Sequence, residues 1–148
     1  MGGTSVTDSG LGHLRQLEEL RFINLGGTPI SDAGLAQLSG LSKLQHLEIV
    51  NTRITDAGLA HLSHMTRLQG LGAGLTDVTD SGVMHLSGLV ELRSLNLQST
   101  SLSDAGLVSL SGLTKLRWIN VMRTQVSRSG VELFESHHPR CRFARLGY

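Results

Sequence analysis

The chain has 148 residues, 39% of them hydrophobic and 3% aromatic, and a formal net charge of +1 with histidine neutral. That length suits one domain with a continuous core, and the near-balanced charge argues against a dedicated nucleic-acid binder. Cys141 is the one cysteine, which excludes an intramolecular disulfide and fits a reducing, cytoplasmic setting.

No apolar run approaches the ~18 residues of a membrane span, so no membrane partner is expected. The opening MGGTSV lacks the basic and apolar regions of a signal peptide. Charge is unevenly spread: residues 1–99 hold 6 Lys/Arg against 9 Asp/Glu, and residues 100–148 hold 7 against 3. The basic end reads either as a solvated surface or as a patch for an acidic partner.

A 24-residue unit fills the sequence, opening at Thr4, Thr28, Thr52, Thr76, Thr100 and Thr124. A fixed period of this size signals a solenoid. Within the unit, position 1 is always Thr, placed to bond backbone as the chain leaves a strand. Position 4 is Ser or Thr (Thr7, Ser31, Thr55, Thr79, Ser103, Ser127), which suits a helix N-cap. Position 5 is Asp8, Asp32, Asp56, Asp80 and Asp104, then Arg128; a carboxylate in a helix's first turn complements the macrodipole. Position 7 is always Gly, which predicts close packing against the neighbouring copy. Apolar residues follow at positions 8, 11 and 14, a helix-compatible spacing, and at 17, 20 and 22. The last pair has the two-residue spacing of a strand face.

Segments such as Leu20-Arg-Phe-Ile-Asn-Leu-Gly-Gly-Thr28 and Leu92-Arg-Ser-Leu-Asn-Leu-Gln-Ser-Thr100 resemble the leucine-rich repeat signature LxxLxLxxN, with Thr in the Asn place. The period and the T-x-[IVL]-[ST]-D-x-G-L opening are similar to the cysteine-containing and ribonuclease-inhibitor-like type, especially planctomycete repeats. The resemblance implies an α/β leucine-rich repeat solenoid of about six repeats, with parallel strands on the concave face and helices on the convex face. It also implies a role in protein–protein recognition, and it brings no shared catalytic residues.

Residues 1–148 are therefore expected to form a single repeat domain, with 124–148 as an atypical capping copy. There, His137-His138-Pro139-Arg140 interrupts the apolar pattern and Pro139-Arg-Cys-Arg-Phe143 resembles the P-x-C-x-[apolar] endings of such arrays. Terminal repeats need a polar outer face, and Cys141 reads as a buried small hydrophobe. At the other end, Met1-Gly2-Gly3-Thr4 aligns with Leu25-Gly26-Gly27-Thr28. The chain is thus expected to open inside a repeat: either the protein is part of a longer one, or this end pairs with another domain or a second copy.

Alternation turns positions 19, 21 and 23 outward on the concave sheet. Core columns are fixed by packing, so contact residues must come from these free columns. The expected partner-binding set is Trp118, Asn120 and Met122, with Arg117 and Arg123 beside them, Asn96, Gln98 and Arg142 on adjoining strands, and Phe22, His46 and Glu48 further back. Trp and Arg are enriched at interface hot spots. The competing reading of Trp118 is packing along Arg142. Gly70, Gly72 and Gly74 leave the third copy's outward columns bare, either as a weak or bulged strand or as room for a bulky partner group.

Every Thr, Asp and Ser column has a structural explanation in the repeat. His13, His61 and His85 share one helix position, and His137, His138 and Cys141 lack a fourth ligand for zinc. No cofactor, metal or catalytic residue is expected, and the chain reads as a non-enzymatic binding module.

Overall fold

Thr28 Oγ1 donates to Leu25 O at 2.6 Å, turning the chain sharply out of its strand. Thr52, Thr76, Thr100 and Thr124 repeat this bond to Ile49, Ala73, Leu97 and Val121. The residue before each Thr is left-handed: Gly27 at φ 69°, then Asn51, Leu75, Ser99 and Arg123 at 54–56°. That conformation is uncommon outside glycine, and the Thr bond holds the turn that demands it. The computed structural model describes residues 5–144; Met1–Thr4 and the outward position 146 fall outside the described residues.

Six short parallel strands form one sheet in chain order: β1 (Phe22–Asn24), β2 (His46–Glu48), β3 (Gly70–Gly72), β4 (Ser94–Asn96), β5 (Trp118–Asn120) and β6 (Arg142–Phe143). Register follows the sequence period: Phe22 pairs with His46, His46 with Gly70, Gly70 with Ser94, Ser94 with Trp118 and Trp118 with Arg142. The glycine strand β3 is neither bulged nor broken; it pairs in register on both sides.

The convex elements are α1 (Asp8–Leu11), α2 (Asp32–Ala36), α3 (Asp56–Ala60), α4 (Asp80–Met84), α5 (Asp104–Ser109) and α6 (Arg128–His137). In α2 to α5 the Ser/Thr cap accepts a bond from the N–H two residues on. Helices of five or six residues do not stand alone; these are held by the core. The helix in the second copy ends early, and the chain continues in tight turns: Leu38 N bonds Leu35 O, Leu41 N bonds Leu38 O and Leu44 N bonds Leu41 O. Three-residue hydrogen bonding keeps residues three apart on one face. The three-residue apolar spacing thus encodes a coil of turns behind a short helix rather than one longer helix.

Leu35, Leu38, Leu41, Leu44, Leu47 and Ile49 are all fully buried, and the same columns fill the core in the next three copies, apart from the half-buried Val121. The aspartates do more than face their own helix. Asp32 Oδ1 accepts from Thr55 N at 2.8 Å and Oδ2 from Thr55 Oγ1 at 2.7 Å, so it bonds the next copy's cap. Asp8, Asp56, Asp80 and Asp104 clasp Ser31, Thr79, Ser103 and Ser127 in the same way. This explains the glycine column. A Cβ on Gly34, Gly58, Gly82, Gly106 or Gly130 would lie 2.2–2.3 Å from the Oδ1 of the preceding copy's aspartate.

In the last copy the ring of His138 is buried, stacked on Phe134 at 4.1 Å between centroids, with Phe143 edge-on to Phe134. Its Nε2 lies 2.9 Å from Ser111 O and its Nδ1 3.2 Å from Phe134 O, so the ring can donate to a backbone carbonyl from either nitrogen. Cys141 is buried as expected, and burial, helped by Glu135, pushes its thiol up to about 11.

Candidate partner-binding face

The central residue of each three-residue strand points into the core, from Ile23 through Leu47, Leu71 and Leu95 to Ile119, as does Phe143 of β6. The flanking residues therefore face the concave side. Six strands at ~4.8 Å give a face about 24 Å across. Phe22, His46 and Arg142 are exposed, Trp118 is 39% exposed, and Ser94, Asn96 and Glu48 are half-buried. Trp118 and Arg142 are register partners on adjacent strands.

Three groups emerge from the expected set. At the basic end stand Trp118, Arg142 and Arg117. The Arg117 guanidinium Nη1 donates to the carbonyls of Thr114 at 3.2 Å and Leu116 at 3.1 Å, which fixes it at the rim beside β5. Arg123 is exposed on the left-handed residue just past β5.

The second group is polar and internally bonded. Asn96 Oδ1 accepts from Gln98 N at 3.1 Å, Asn120 Oδ1 accepts from Met122 N at 3.0 Å, and Asn120 Nδ2 donates to Gln98 Oε1 at 3.1 Å. Asn120 is only 7% exposed, so the expectation of a free contact side chain there is corrected: its amide is spent on the fold. Gln98 and Met122 lie in the turns after the strands rather than on the sheet, because each strand ends two residues earlier.

The third group is Phe22, His46 and Glu48, and it changes the reading of the glycines. Phe22 and His46 face each other at 6.2 Å between ring centroids. His46 and Glu48 lie down across β3: a Cβ on Gly70 would meet His46 Nδ1 at 2.5 Å, and one on Gly72 would meet Glu48 Oε2 at 1.8 Å. From the other side, Ser94 Oγ would stand 3.0 Å from a Cβ on Gly70 and the Gln98 Cγ 2.8 Å from one on Gly74. The glycine strand is not bare backbone; it is a floor covered by its neighbours' side chains. Burial raises the Glu48 carboxyl above the ordinary glutamate value, with the nearby His46 acting in the opposite sense.

The face carries a carboxylate, Glu48, toward one side and an aromatic-basic ridge, Trp118 and Arg142, at the other. Its arrangement suits recognition of a surface. The Asp, Ser and Thr columns that might suggest chemistry are each committed to bonds between or within repeats.

A leucine-rich repeat sequence profile matches residues 40–63 and 92–111. No curated protein matches the chain by sequence. Among solved structures, the chain is similar to an internalin (inlF) from Listeria monocytogenes, with a TM-score of 0.79 over 93% of this chain at 23% identity. It is also similar to internalin C2 from the same organism, with a TM-score of 0.69 over 81% of this chain at 28% identity. The chain spans 38% and 50% of those two proteins' solved lengths. Among the described residues, no helix is long and apolar enough to cross a membrane. The repeat profile, the parallel sheet backed by helices and these likenesses agree on the architecture: the chain folds as an α/β leucine-rich repeat solenoid.

Proposed function

We propose that the protein is a non-catalytic interaction module whose concave face engages a protein partner. The observation that carries this reading is Trp118. It is the chain's one tryptophan, and it stays 39% exposed beside Arg142 on a face whose alternate residues are all packed away. Solenoid curvature builds extended concave binding surfaces, and Trp and Arg dominate interface hot spots. The contact set is Trp118, Arg117, Arg123, Arg142 and Met122 at the basic end, and Phe22, His46 and Glu48 at the other. Asn96, Asn120 and Gln98 lie between. The basic end suits an acidic stretch of the partner.

We read the 24-residue unit as similar to the cysteine-containing, ribonuclease-inhibitor-like type, especially planctomycete repeats. The whole chain is read as one repeat domain closed by 124–148. A buried Cys141 thiol accords with work in the cytoplasm.

Replacing Trp118, Arg117 and Arg123 together with Ala is expected to abolish capture of the partner while leaving circular dichroism and melting temperature near those of the parent. Undiminished capture by the folded triple variant would sink this site.

A second reading rests on Leu17. It is 49% exposed, whereas Leu41, Met65, Leu89 and Leu113 in the same column are buried. This end of the core could pair with another apolar surface, including a second copy. Light scattering across a concentration series tests it, and a strictly monomeric chain counts against it.

A further inference from the structure

We infer that the Glu48 carboxylate, seated over Gly72 beside His46, is the acceptor for a basic side chain, arginine or lysine, of the protein partner. This rests on the reading of the concave face as a contact surface and adds the chemistry of what enters it.

Eight other carboxylates in the fold have donors, and Glu18 and Asp77, which have none among the described residues, are exposed, so Glu48 shares a half-buried place without a donor only with Glu135 on α6. Glu19 pairs with Lys43, Glu91 with Lys115, and Glu132 with Arg128, while five aspartates clasp the next copy's cap. Among the described residues, the Glu48 side chain has neither a hydrogen bond nor an ion pair; the residue is half-buried, and its carboxylate oxygens still reach solvent. An under-solvated charge without a partner is costly, and such groups cluster at functional sites.

The surroundings explain how it is held and which partner it lacks. Gly72 has no side chain to lift the carboxylate, so Glu48 lies across β3. His46 is the titratable group beside it on β2. The residues facing it from the other packed strands are Phe22 and Asn24 on β1, glycines on β3, and Ser94 and Asn96 on β4. None of these carries a formal charge. Arg21 and Arg93 precede β1 and β4, but neither bonds the Glu48 carboxylate, and His46 is the one charged neighbour that acts on it. A cation must therefore come from outside. Ser94 Oγ, leaning toward Gly70 from β4, supplies a further oxygen for its N–H groups.

The test is an NMR titration of the ¹⁵N-labelled full chain with the peptide acetyl-Gly-Arg-Gly-amide at low salt. The matching citrulline peptide, equal in shape but uncharged, and a lysine peptide are run in parallel. The arginine and lysine peptides should shift the amides of Gly70 and Gly72 saturably, and added salt should reverse this. Glu48→Gln, which keeps the shape, should weaken binding about tenfold or more, as loss of a charge-assisted bond does. Equal binding by Glu48→Gln, equal binding of the citrulline peptide, or still amides on the glycine strand would overturn the inference. If those amides stay still while the Trp118 triple variant still loses its partner, the cation seat fails alone. If the peptide binds as expected while that variant keeps its partner, the seat stands and the wider contact set fails.

Discussion

The carboxylate of Glu48 covers Gly72 so closely that a Cβ on the glycine would stand 1.8 Å from Oε2. Two residues one repeat apart thus share one volume, and substitution at either is felt at the other. Gly72→Ala should displace Glu48 toward solvent and relieve its desolvation. In that variant, side-chain carboxyl NMR should show the Glu48 titration moving down toward the ordinary glutamate range. An unmoved titration would mean the glycine is not what seats it.

Glu48 also fixes a sign for pH dependence. Its native pKa is raised by burial, so in the window from 4.5 up to the raised value the native state binds the proton more readily than the unfolded chain. Its contribution to stability therefore falls as pH rises through that window. Glu48→Gln is expected to be more stable than the parent at neutral pH, with the advantage shrinking toward acid. Denaturant melts at two pH values measure this; a variant less stable at neutral pH would contradict it.

Asp104 carries the opposite sign. The hydroxyl and then the backbone N–H of Ser127 hold its carboxyl below the ordinary aspartate value. Its contribution is present above the unfolded pKa and is lost as pH falls through the depressed native one. Asp104→Asn should remove part of the acid sensitivity of unfolding, and an unchanged acid limb would argue that this clasp adds little.

The clasp and the glycine column form a testable pair. Asp8→Ala removes two bonds to Ser31 and should cost about 1–3 kcal/mol. Gly34→Ala puts a methyl 2.3 Å from Asp8 Oδ1 and should also destabilise. In the Asp8→Ala background that second cost should drop to near zero or below, because alanine is favoured over glycine inside a helix by roughly 1 kcal/mol. A double-mutant cycle reads the coupling, and additive costs would show that the glycine answers to something else.

The repeat, the parallel sheet and the core columns were legible because packing imposes the same residue types every 24 positions. The Thr turn was legible for the same reason. What escaped was contact across the period. Asp32 reads locally as a first-turn carboxylate, and only the fold brings Thr55 to it. Gly70 and Gly72 read as empty positions until β2 is laid beside them. The available signal was the pairing of a large polar residue with a glycine 24 residues on, as in His46 with Gly70 and Glu48 with Gly72. Asn120 was misread as free because exposure depends on the neighbour, Gln98, that takes its amide. In the last copy, the buried ring is His138 rather than His137 because α6 runs twice the length of α2, α3 or α4 before turning.

The Cys141 thiol, buried and raised to about 11, should resist alkylation at neutral pH until the chain unfolds, since the thiolate is the nucleophile. Labelling rates with and without denaturant measure this; fast labelling of the folded chain would show that the capping copy opens.

The central claim, that the concave face is the contact surface, is tested most directly by comparing partner capture for two folded variants. One carries Trp118→Ala, Arg117→Ala and Arg123→Ala at the concave end; the other carries Val108→Glu and Leu133→Glu on the exposed convex helices. Loss of capture by the first and retention by the second is the expected result, and the reverse pattern would contradict it.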